Sequence, residues 1–418
     1  MSCASSPERV DTPWRSDFPV LDQYVNDRPL TYLDSAATTH RPRQVLQAMN
    51  VFYEHTNCNP GSALHTLARR AHEQYETARN AIARFLNASS SEEIVWTKGT
   101  TEGINLVATA WARSCLKKDD EILLTTAEHA SNLLPWRLVA QQTEARVSYV
   151  DVDDEGRILV DDLNRKLSDK TKVFAFSHVS NVVGYVNPAK LLCERARAAG
   201  ARVLVDAAQS APHIAIDVQD LGCDFLAFSS HKMLGPMGSG VLWIRHGLLE
   251  TMPPYQAGSN MAHEVDVSSQ QFERGARKFG AGTPNVAGAL GHAAAIDYTR
   301  QLGRVTTERH EAELTRYALE RLQEVPGLRL LGPRVPLGRV PVFSFVLEQH
   351  APDAILRHLD SRGVAVRAGD LAALPLLKRF GVTAAVRASC YLYNQVADID
   401  RLVMALHELT RPGAREVA

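Results

Sequence analysis

Cysteine is scarce in this chain, and its few cysteines are not spaced as metal ligands are. The six cysteines lie far apart among 418 residues, and no two form a Cys-x-x-Cys pair. Disulfide frameworks belong mainly to short secreted chains, and zinc sites need closely spaced ligands. We therefore expect neither a disulfide framework nor a metal site, and we predict a cytoplasmic protein.

Neither sign of charge is in excess. Lysine and arginine total 46, and aspartate and glutamate total 47, which gives a formal net charge of -1 without a basic block. The opening stretch MSCASSPERVDTPWRSDFPV lacks the apolar run of a signal peptide, and no later stretch is apolar for long enough to span a bilayer. These absences predict a protein that binds neither nucleic acid nor membranes.

What remains is the composition of a large folded protein. Of the residues, 45% are hydrophobic and 22% charged, which is enough for an extensive core and two domains. Residues 1–30, rich in proline, aspartate and serine, predict an N-terminal arm. In residues 31–295 short apolar runs alternate with helical stretches, whereas residues 300–418 combine long helical patterns with a few strands. The pattern predicts an α/β protein with a large, mostly parallel sheet and a smaller C-terminal α+β domain.

Polar residues follow four apolar runs that predict buried strands, namely EILLTT, KVFAFSH, RVLVDAA and DFLAFSS. These runs are continuously apolar, as is typical of strands covered on both faces. Because ligands bind beyond the carboxyl ends of parallel strands, the residues that follow are candidates for a site. They are His129, Asn181, Asp206, Gln209, Ser229, His231 and Lys232, together with Gly99, Thr100 and Thr101 at the helix start in KGTTEGINLVA.

Taken one at a time, these residues have ordinary structural explanations. Thr100 is a good helix N-cap, and Asp206 can cap the helix that follows it. A lone lysine is usually solvated, and a lone histidine is usually structural. Together, however, they supply what pyridoxal phosphate (PLP) requires: a lysine for covalent attachment, an anion site, a carboxylate for the pyridine nitrogen and a flat side chain to stack on the ring. We therefore predict PLP as the cofactor.

Each residue then has an expected role toward PLP. Lys232 attaches to the cofactor, Asp206 keeps the ring nitrogen protonated and His129 stacks on the ring. The helix start in KGTTEGINLVA holds the phosphate through free backbone N–H groups and hydroxyls, and Gln209 reaches the ring hydroxyl. The glycines of GPMGSG, at residues 235–240, predict a close backbone approach before the strand GVLWIR.

Longer motifs occur in a recognisable order: YLDSAATTHRP, NPGSALHTLA, TKGTTEGINLVA, SHVSNVVGYVNP, DAAQSAPH, CDFLAFSSHKMLGPMGSGVLW, PPYQAGSNM, FGAGTPNVAG and VRASCYLYN. On these motifs the chain resembles the SufS-type cysteine desulfurases from about residue 18 to 410. Those enzymes belong to the class V branch of the fold-type I PLP enzymes. The resemblance implies that fold, and a homodimer with its active sites at the subunit interface.

The resemblance also assigns residues. It makes Lys232 the Schiff-base lysine, Asp206 the pyridinium partner and His129 the stacking residue, with Gln209 at the ring hydroxyl. It implies that the phosphate is held by Thr101, Ser229 and His231, and by Thr283 from the other subunit. It implies that the substrate carboxylate is held by Asn181 and Arg387, in a pocket also lined by Arg367 and His65.

One loop departs from the family. After an Arg-x-Gly turn the family reads roughly His-His-Cys-Ala-x-Pro, and its cysteine takes the substrate sulfur as a persulfide. The loop RAGDLAALP, residues 367–375, instead has Ala372 at the cysteine position. Cys390 lies in the strand after Arg387, where the family carries an ordinary apolar residue, so it is no substitute. Cys58, near the substrate-loop region, leaves a relocated thiol as an alternative.

Without that cysteine, sulfur transfer to the protein is not the expected reaction. We predict instead a PLP-dependent lyase that splits the C–S bond of a cysteine S-conjugate by β-elimination, with Lys232 as the base at Cα. The substrate is then a small-molecule amino acid with a bulky sulfur substituent. Asp370 either binds an amine or hydroxyls of that substituent or caps the helix in LPLLKRF.

Other interpretations remain open at this point. The enzyme can instead catalyse decarboxylation with oxidative deamination of a cysteine conjugate, transamination or epimerisation, because all of these use the same cofactor chemistry. It can also be a desulfurase with a relocated thiol. From a different class of protein, it can be a non-catalytic partner that binds PLP only for structure.

Overall fold

The computed structural model describes residues 12–61 and 64–411. Within these residues a seven-stranded sheet is formed by β1 Ile94–Thr97, β2 Glu121–Thr125, β3 Arg146–Val150, β4 Thr171–Ser177, β5 Arg202–Asp206, β6 Phe225–Ser229 and β7 Gly240–Ile244. Their spatial order is β1-β7-β6-β5-β4-β2-β3. β7 alone runs opposite to the other six strands, so the predicted mostly parallel sheet is confirmed.

The continuous apolar runs are explained by two cores, one on each face of this sheet. Along β4, Phe174 and Phe176 belong to one buried cluster, whereas Val173 and Ala175 belong to the other. Successive side chains of a strand point to opposite faces, so a strand covered on both sides needs apolar residues at every position.

Helices cover the sheet and connect its strands. The α-helices of the described residues are Arg43–Val51, Thr66–Phe85, Thr100–Leu106, Arg113–Cys115, Leu134–Thr143, Val160–Lys166, Ala189–Ala198, Val218–Leu221, His246–Thr251, Val286–Leu302, Arg304–Gln323, Pro352–Ser361, Leu374–Arg379 and Val396–Thr410. A π-helical segment, Val107–Ala112, continues the helix that starts at Thr100. Among these described helices, none combines the length and the apolarity that a membrane crossing requires.

The C-terminal part has its own antiparallel sheet, formed by β8 Leu328–Leu331, β9 Val342–Leu347, β10 Arg367–Gly369 and β11 Ala385–Ser389 in the order β8-β9-β11-β10. The helices Arg304–Gln323, Pro352–Ser361 and Val396–Thr410 pack around its apolar cluster. This mixture of helices and antiparallel strands agrees with the α+β character expected of residues 300–418.

The prediction of one strand over GVAVR is wrong. The chain divides this run between two sheets: Val364–Ala365 pairs in parallel with Thr31–Tyr32, while β10 pairs with β11. An apolar run shows that residues are buried but does not show which strand each of them pairs with. This division places the N-terminal segment beside the C-terminal sheet, so that Asp34 lies near Arg367 and Arg387.

The described part of the predicted arm lies against the C-terminal part of the chain. The Trp14 indole donates to the Leu392 carbonyl over 2.8 Å, and Arg15 forms an ion pair with Asp398. Phe18 is almost completely buried. The arm is therefore attached by specific side chains, although its boundary at residue 30 stays a prediction.

Candidate active site

A cavity of about 450 Å³ lies where β2, β4, β5 and β6 end. Its walls come from the ends of these strands, from the segment that follows Thr31–Tyr32 and from the loop after β10. The structure brings most of the predicted site residues to it, namely Thr100, Thr101, His129, Asn181, Asp206, Gln209, Ser229, His231, Lys232, Arg367, Asp370 and Arg387. The carboxyl ends of parallel strands meet at one edge, which is why residues far apart in sequence converge there.

Lys232 and Asp206 face the same cavity. Lys232 ends a 3-10 turn directly after β6, and Asp206 is the last residue of β5. Burial lowers the pKa of Lys232 to about 8, and the negative charge of Asp206 opposes this shift. Burial also raises the pKa of Asp206, against a hydrogen bond from the Ala208 N–H and the charge of Lys232. A lysine with so low a pKa is partly neutral near pH 7, as a nucleophilic or basic amine must be.

The predicted anion site lies at the start of the helix after β1. Gly99, and not Thr100, is the N-cap, so the expectation that Thr100 caps this helix is wrong. Ser229 Oγ instead accepts from the Thr100 N–H over 2.8 Å and lies 2.7 Å from Thr100 Oγ1. Thr101 Oγ1 lies 2.8 Å from the hydroxyl of Ser131, a residue that the sequence interpretation missed. The site is thus a cluster of hydroxyls at a helix start, which suits a phosphate.

The expected close approach before GVLWIR is between two glycine backbones. A Cβ at Gly240 would collide with the backbone of Gly99, because β7 runs directly beneath the helix start. The glycine at this position therefore brings the phosphate-site loop against the sheet.

The two candidate histidines are uncharged near neutral pH. Burial lowers the pKa of His129 to about 4, with Lys232 and Arg387 adding to the shift, and the pKa of His231 is also about 4. His129 Nδ1 accepts from the Ser131 N–H over 3.1 Å. A neutral imidazole held at one nitrogen is a flat group suited to stacking on an aromatic ring.

Glu128 was not predicted, yet it holds the segment that carries His129. Its side chain is completely buried and accepts hydrogen bonds from Thr125, from Asn132 over 2.7 Å, and from the Ser177 hydroxyl over 2.7 Å. Burial raises its pKa to about 7 against these donors. The signal was present in AEHASN, where a charged residue lies three positions after the end of β2, but its partner at the end of β4 is not visible in the sequence.

Two arginines face the cavity, and a carboxylate that the sequence interpretation did not use joins them. Arg387 is 3% exposed, and its Nη2 donates to Asp34 over 3.2 Å. Arg367 contacts the other oxygen of Asp34 over 2.8 Å. Arg387 Nη1 also donates to the Asn181 carbonyl over 3.0 Å. Both arginines thus contact a protein carboxylate, and the expected role of Asn181 and Arg387 in holding a substrate carboxylate stays a prediction.

The loop at residues 369–373 is held to the cavity by its backbone. The Asn181 amide donates to the Leu371 carbonyl over 2.9 Å, and the Ala130 N–H donates to the Ala372 carbonyl over 2.7 Å. Leu371 and Ala372 both have a φ of 52°, the left-handed region that costs residues other than glycine about 1–2 kcal/mol each. These contacts fix Ala372 on the cavity wall.

Asp370 does not cap the helix Leu374–Arg379, so that alternative is wrong. The N-cap of this helix is Ala373, without any side-chain hydrogen bond. Asp370 Oδ1 instead accepts from the Ala372 N–H over 3.0 Å, which closes a local Asx turn, and the side chain is exposed at the cavity. One carboxylate oxygen therefore stabilises the loop, while the other accepts no hydrogen bond from the described residues.

Three predicted residues do not line the cavity of this chain. Gly99 lies just behind Thr100. His65 is exposed and accepts from the Ala68 N–H as the N-cap of the helix Thr66–Phe85. Thr283 is exposed, and its hydroxyl accepts from Asn59 over 3.4 Å. Thr283 was expected to act from a second subunit, and that expectation stays a prediction.

Among the described residues, no cysteine lines the cavity. Cys193, Cys223 and Cys390 are buried, and burial raises the pKa of each thiol, that of Cys193 to about 12. Cys115 is exposed and has a pKa raised to about 11. Cys58 is half-buried, with its Sγ 3.8 Å from His65 Nε2.

The residues at the cavity fit PLP. A desolvated lysine, a buried carboxylate, a neutral histidine and a hydroxyl-rich helix start all face one space large enough for a small cofactor. Three lining residues also have a buried polar atom without a partner in the described part of the chain, namely Gln209 Oε1, His231 Nδ1 and Arg387 Nε. Buried polar atoms in native proteins are normally paired, so these atoms indicate that a bound group or water completes the site. Gln209 donates its amide to the Ala36 carbonyl, which orients the residue.

Comparison with known proteins gives a consistent family. The sequence profile of the family described as Aminotransferase class-V matches residues 31–402. A probable cysteine desulfurase of Halalkalibacterium halodurans is 47% identical over 391 residues, which are 94% of this chain and 96% of that protein. A cysteine desulfurase of Salmonella newport is 41% identical over 398 residues, 95% of this chain and 97% of that protein.

A solved structure supports the same relationship. The cysteine desulfurase of Thermococcus onnurineus in its apo form superposes with a TM-score of 0.90 at 34% identity, covering 98% of this chain and 99% of that one. The chain therefore shares the whole fold of these enzymes, and not only the motifs of the site.

Proposed function

The chain belongs to the class V aminotransferase family, and from that premise we propose that it is a lyase that splits the C–S bond of a cysteine S-conjugate by β-elimination. It is a PLP-dependent enzyme of the kind to which the cysteine desulfurases belong. Its substrate is an amino acid. The proposal concerns the bulky substituent on sulfur and the fate of that sulfur.

Bound PLP supplies an electron sink for the bonds at the substrate Cα. We assign the residues around it as follows. Asp206 would hold a proton on the pyridine nitrogen, the helix start at Thr100 and the Ser229 and His231 side chains would hold the phosphate, and His129 would lie against the ring. Lys232, with its pKa lowered to about 8, takes the proton from Cα.

The observation that carries the proposal is the loop at residues 369–373. Its tip presents Asp370, Leu371 and Ala372 to the cavity, and backbone hydrogen bonds to Asn181 and Ala130 hold it there. A desulfurase needs a thiol within reach of the substrate sulfur, and this wall offers none. Elimination needs no protein nucleophile, because Lys232 removes the proton and the thiolate leaves with the electron pair of the Cβ–S bond.

The overall reaction is balanced without another reactant except water. The Cα–H proton is released and the Cβ–S bond breaks. The sulfur fragment leaves as a thiol, and the three-carbon fragment is hydrolysed to pyruvate and ammonia. The larger fragment therefore keeps the sulfur, which distinguishes this activity from persulfide formation.

The mouth of the cavity supports a substituent larger than hydrogen on the sulfur. Ala372 is small, and the largely buried Leu371 adds an apolar residue to the lining. Asp370 keeps one carboxylate oxygen free toward the cavity while the other closes the turn. An amine or hydroxyl on the substituent can therefore donate to Asp370.

The test is to incubate the PLP-loaded protein with a series of S-substituted cysteines and to measure pyruvate, ammonia and free thiol. We expect all three products in equal amounts from bulky conjugates, and little alanine from L-cysteine. Prior alkylation of accessible thiols should leave the rate unchanged. Alanine with a persulfide on this chain would overturn the proposal, and an aldehyde together with CO2 would indicate decarboxylation instead.

Ala372→Cys provides a matched gain-of-function variant. It places a thiol at the loop position where the family has one, and a cysteine side chain adds only one sulfur atom. We expect the variant to form alanine from L-cysteine and to lose this activity on alkylation. Ala372→Ser controls for the added volume and should behave like the unchanged protein.

Desulfurase activity with a relocated thiol is the second candidate. The relatives named cysteine desulfurase favour it, as does the contact between Cys58 Sγ and His65 Nε2. His65 Nδ1 accepts from a backbone N–H, which leaves the hydrogen on Nε2 and directs it toward the sulfur. We propose that the enzyme is a homodimer, in which His65 and Thr283 of one subunit complete the site of the other. Cys58→Ala separates the candidates, because it abolishes alanine formation only if Cys58 carries the sulfur.

A further inference from the structure

A protein carboxylate already lies in contact with the two arginines of the cavity. Asp34 contacts both arginines of the cavity: Arg387 Nη2 donates to Oδ1 over 3.2 Å, and Arg367 Nη2 donates to Oδ2 over 2.8 Å. Arg367 Nε lies 3.2 Å from each oxygen of the same carboxylate. Two positive charges therefore line this wall of the cavity, and the buried Asp34, which is not itself a lining residue, contacts both of them.

Asp34 is not needed to attach its own segment. The Leu33 N–H donates to the Ala365 carbonyl over 2.8 Å, and the Ser389 N–H donates to the Leu33 carbonyl over 2.7 Å. These backbone bonds fix residues 31–36 to the C-terminal sheet whatever side chain follows Leu33. The function of the Asp34 side chain must then lie in the arginines that it contacts.

Arg387 still has donors to offer. Each of its Nη atoms carries two hydrogens, of which one on Nη1 goes to the Asn181 carbonyl and one on Nη2 goes to Asp34. Its buried Nε has no partner among the described residues. A substrate carboxylate can therefore bind beside Asp34 without displacing it.

We propose that Asp34 determines the charge specificity of the substrate site. With Arg367 and Arg387 it forms a three-residue clamp of net charge +1, which accepts amino acids with one carboxylate and disfavours those with a second. If Asp34 were neutral, both arginines would be available, and an acidic side chain on the substrate would gain an ion pair. A buried like charge is an effective means of excluding the wrong ligand, because the ligand's second carboxylate would be desolvated next to Asp34.

This inference rests on the proposed function only in that the cavity takes an α-amino acid, so its test uses equilibrium binding rather than turnover. The probes are L-glutamate and L-glutamine, which have nearly the same shape and differ in side-chain charge, and neither carries a leaving group at Cβ. Their dissociation constants are measured on the PLP-loaded protein by calorimetry. If neither ligand binds, the proposed amino-acid site itself is in error, a result distinct from equal binding of both.

The unchanged protein should prefer glutamine. Asp34→Asn should raise the affinity for glutamate relative to glutamine by about tenfold or more, the scale of one ion pair in a partly buried site. The double variant Asp34→Asn with Arg367→Gln returns the clamp to a net charge of +1, and its preference should return toward that of the unchanged protein. An unchanged ratio in Asp34→Asn, or a double variant further from the starting ratio than the single one, would overturn the proposal.

Asp398 provides the matched control. It also bridges two arginines, Arg15 and Arg401, and it is 1% exposed, but neither of these arginines lines the cavity. Asp398→Asn should lower the melting temperature without altering the ratio of the two affinities. Should Asp34→Asn fold poorly, the same ratio is measured on Asp34→Ser, which also removes the negative charge and should shift the preference toward glutamate; an unchanged ratio there would overturn the proposal.

Discussion

The floor and the mouth of the cavity are built in different ways. The floor consists of Asp206, Ser229, Lys232 and the helix start at Thr100, and each of these side chains follows or adjoins a strand of the large sheet. The mouth is the loop at residues 369–373, where the backbone makes the anchoring hydrogen bonds and Asp370 is exposed.

This difference determines which part of the site can change. On the floor, side-chain atoms form the contacts, so a substitution removes both the chemistry and the packing. At the mouth, Asn181 and Ala130 hold carbonyl groups that every residue type provides. Side chains at the mouth are therefore free to vary while the cofactor site is kept, and this is how a family with one cofactor can acquire different reactions.

Lys232→Ala is expected to have the largest effect, because Lys232 is both the proposed base and the proposed attachment point for the cofactor. We expect pyruvate formation to fall on the order of a thousandfold or more. Borohydride treatment of the unchanged protein should fix the cofactor on the peptide that contains Lys232. Lys278→Ala is the control, since Lys278 is also a lysine whose pKa burial lowers, and its loss should change neither result.

Asp206→Asn should reduce turnover by about a hundredfold, because the amide no longer holds a proton on the ring nitrogen. It should also act on Lys232. The charge of Asp206 opposes the lowering of the Lys232 pKa, so its removal should move that pKa further below about 8. This shift can be measured in cofactor-free protein as the pH dependence of Lys232 labelling by an amine-reactive reagent. A labelling midpoint at higher pH in the variant would contradict the effect assigned to the Asp206 charge.

Arg387 lies at the boundary between the floor and the mouth, and we expect Arg387→Lys to have an effect between those of Asp206→Asn and Asp370→Asn. A lysine keeps the charge but loses the planar fork, so it cannot contact Asp34, the Asn181 carbonyl and a substrate carboxylate together. We expect KM to rise about tenfold and kcat to change less. Arg401→Lys, outside the cavity, should leave both constants unchanged, and an unaffected KM in Arg387→Lys would mean that the substrate carboxylate binds elsewhere.

Asp370→Asn should have the smallest effect and should depend on the substrate. Asparagine can still accept from the Ala372 N–H, so the loop should keep its conformation. Because this side chain is exposed, we expect a loss of about threefold to tenfold for a cationic conjugate such as S-(2-aminoethyl)cysteine, and almost none for S-methylcysteine. Equal losses for both substrates would show that Asp370 acts on the loop and not on the substituent.

Much of the floor could be predicted because its signals are local. Continuous apolar runs mark strands with two covered faces, and a residue that follows such a run lies at the ligand edge of the sheet. That argument is sufficient to place Asp206, Ser229 and Lys232 at one site. The N-cap at Gly99 was missed because Thr100 and Gly99 both suit that position, and the choice depends on the contact with Ser229.

The fold class, the predicted ligand edge of the sheet and the alanine at position 372 can all be read from residue types at nearby positions. The partners of the mouth and of the two cavity arginines cannot, because they come from distant parts of the chain. Asp34 meets Arg387 across 353 positions, and Glu128 meets Ser177 across 49. Such pairs form because the sheet brings separate strand ends to one edge and because the run GVAVR divides between two sheets, which carries the N-terminal segment to the arginines. Contacts of this kind depend on the path of the whole chain, which no local pattern of residues records.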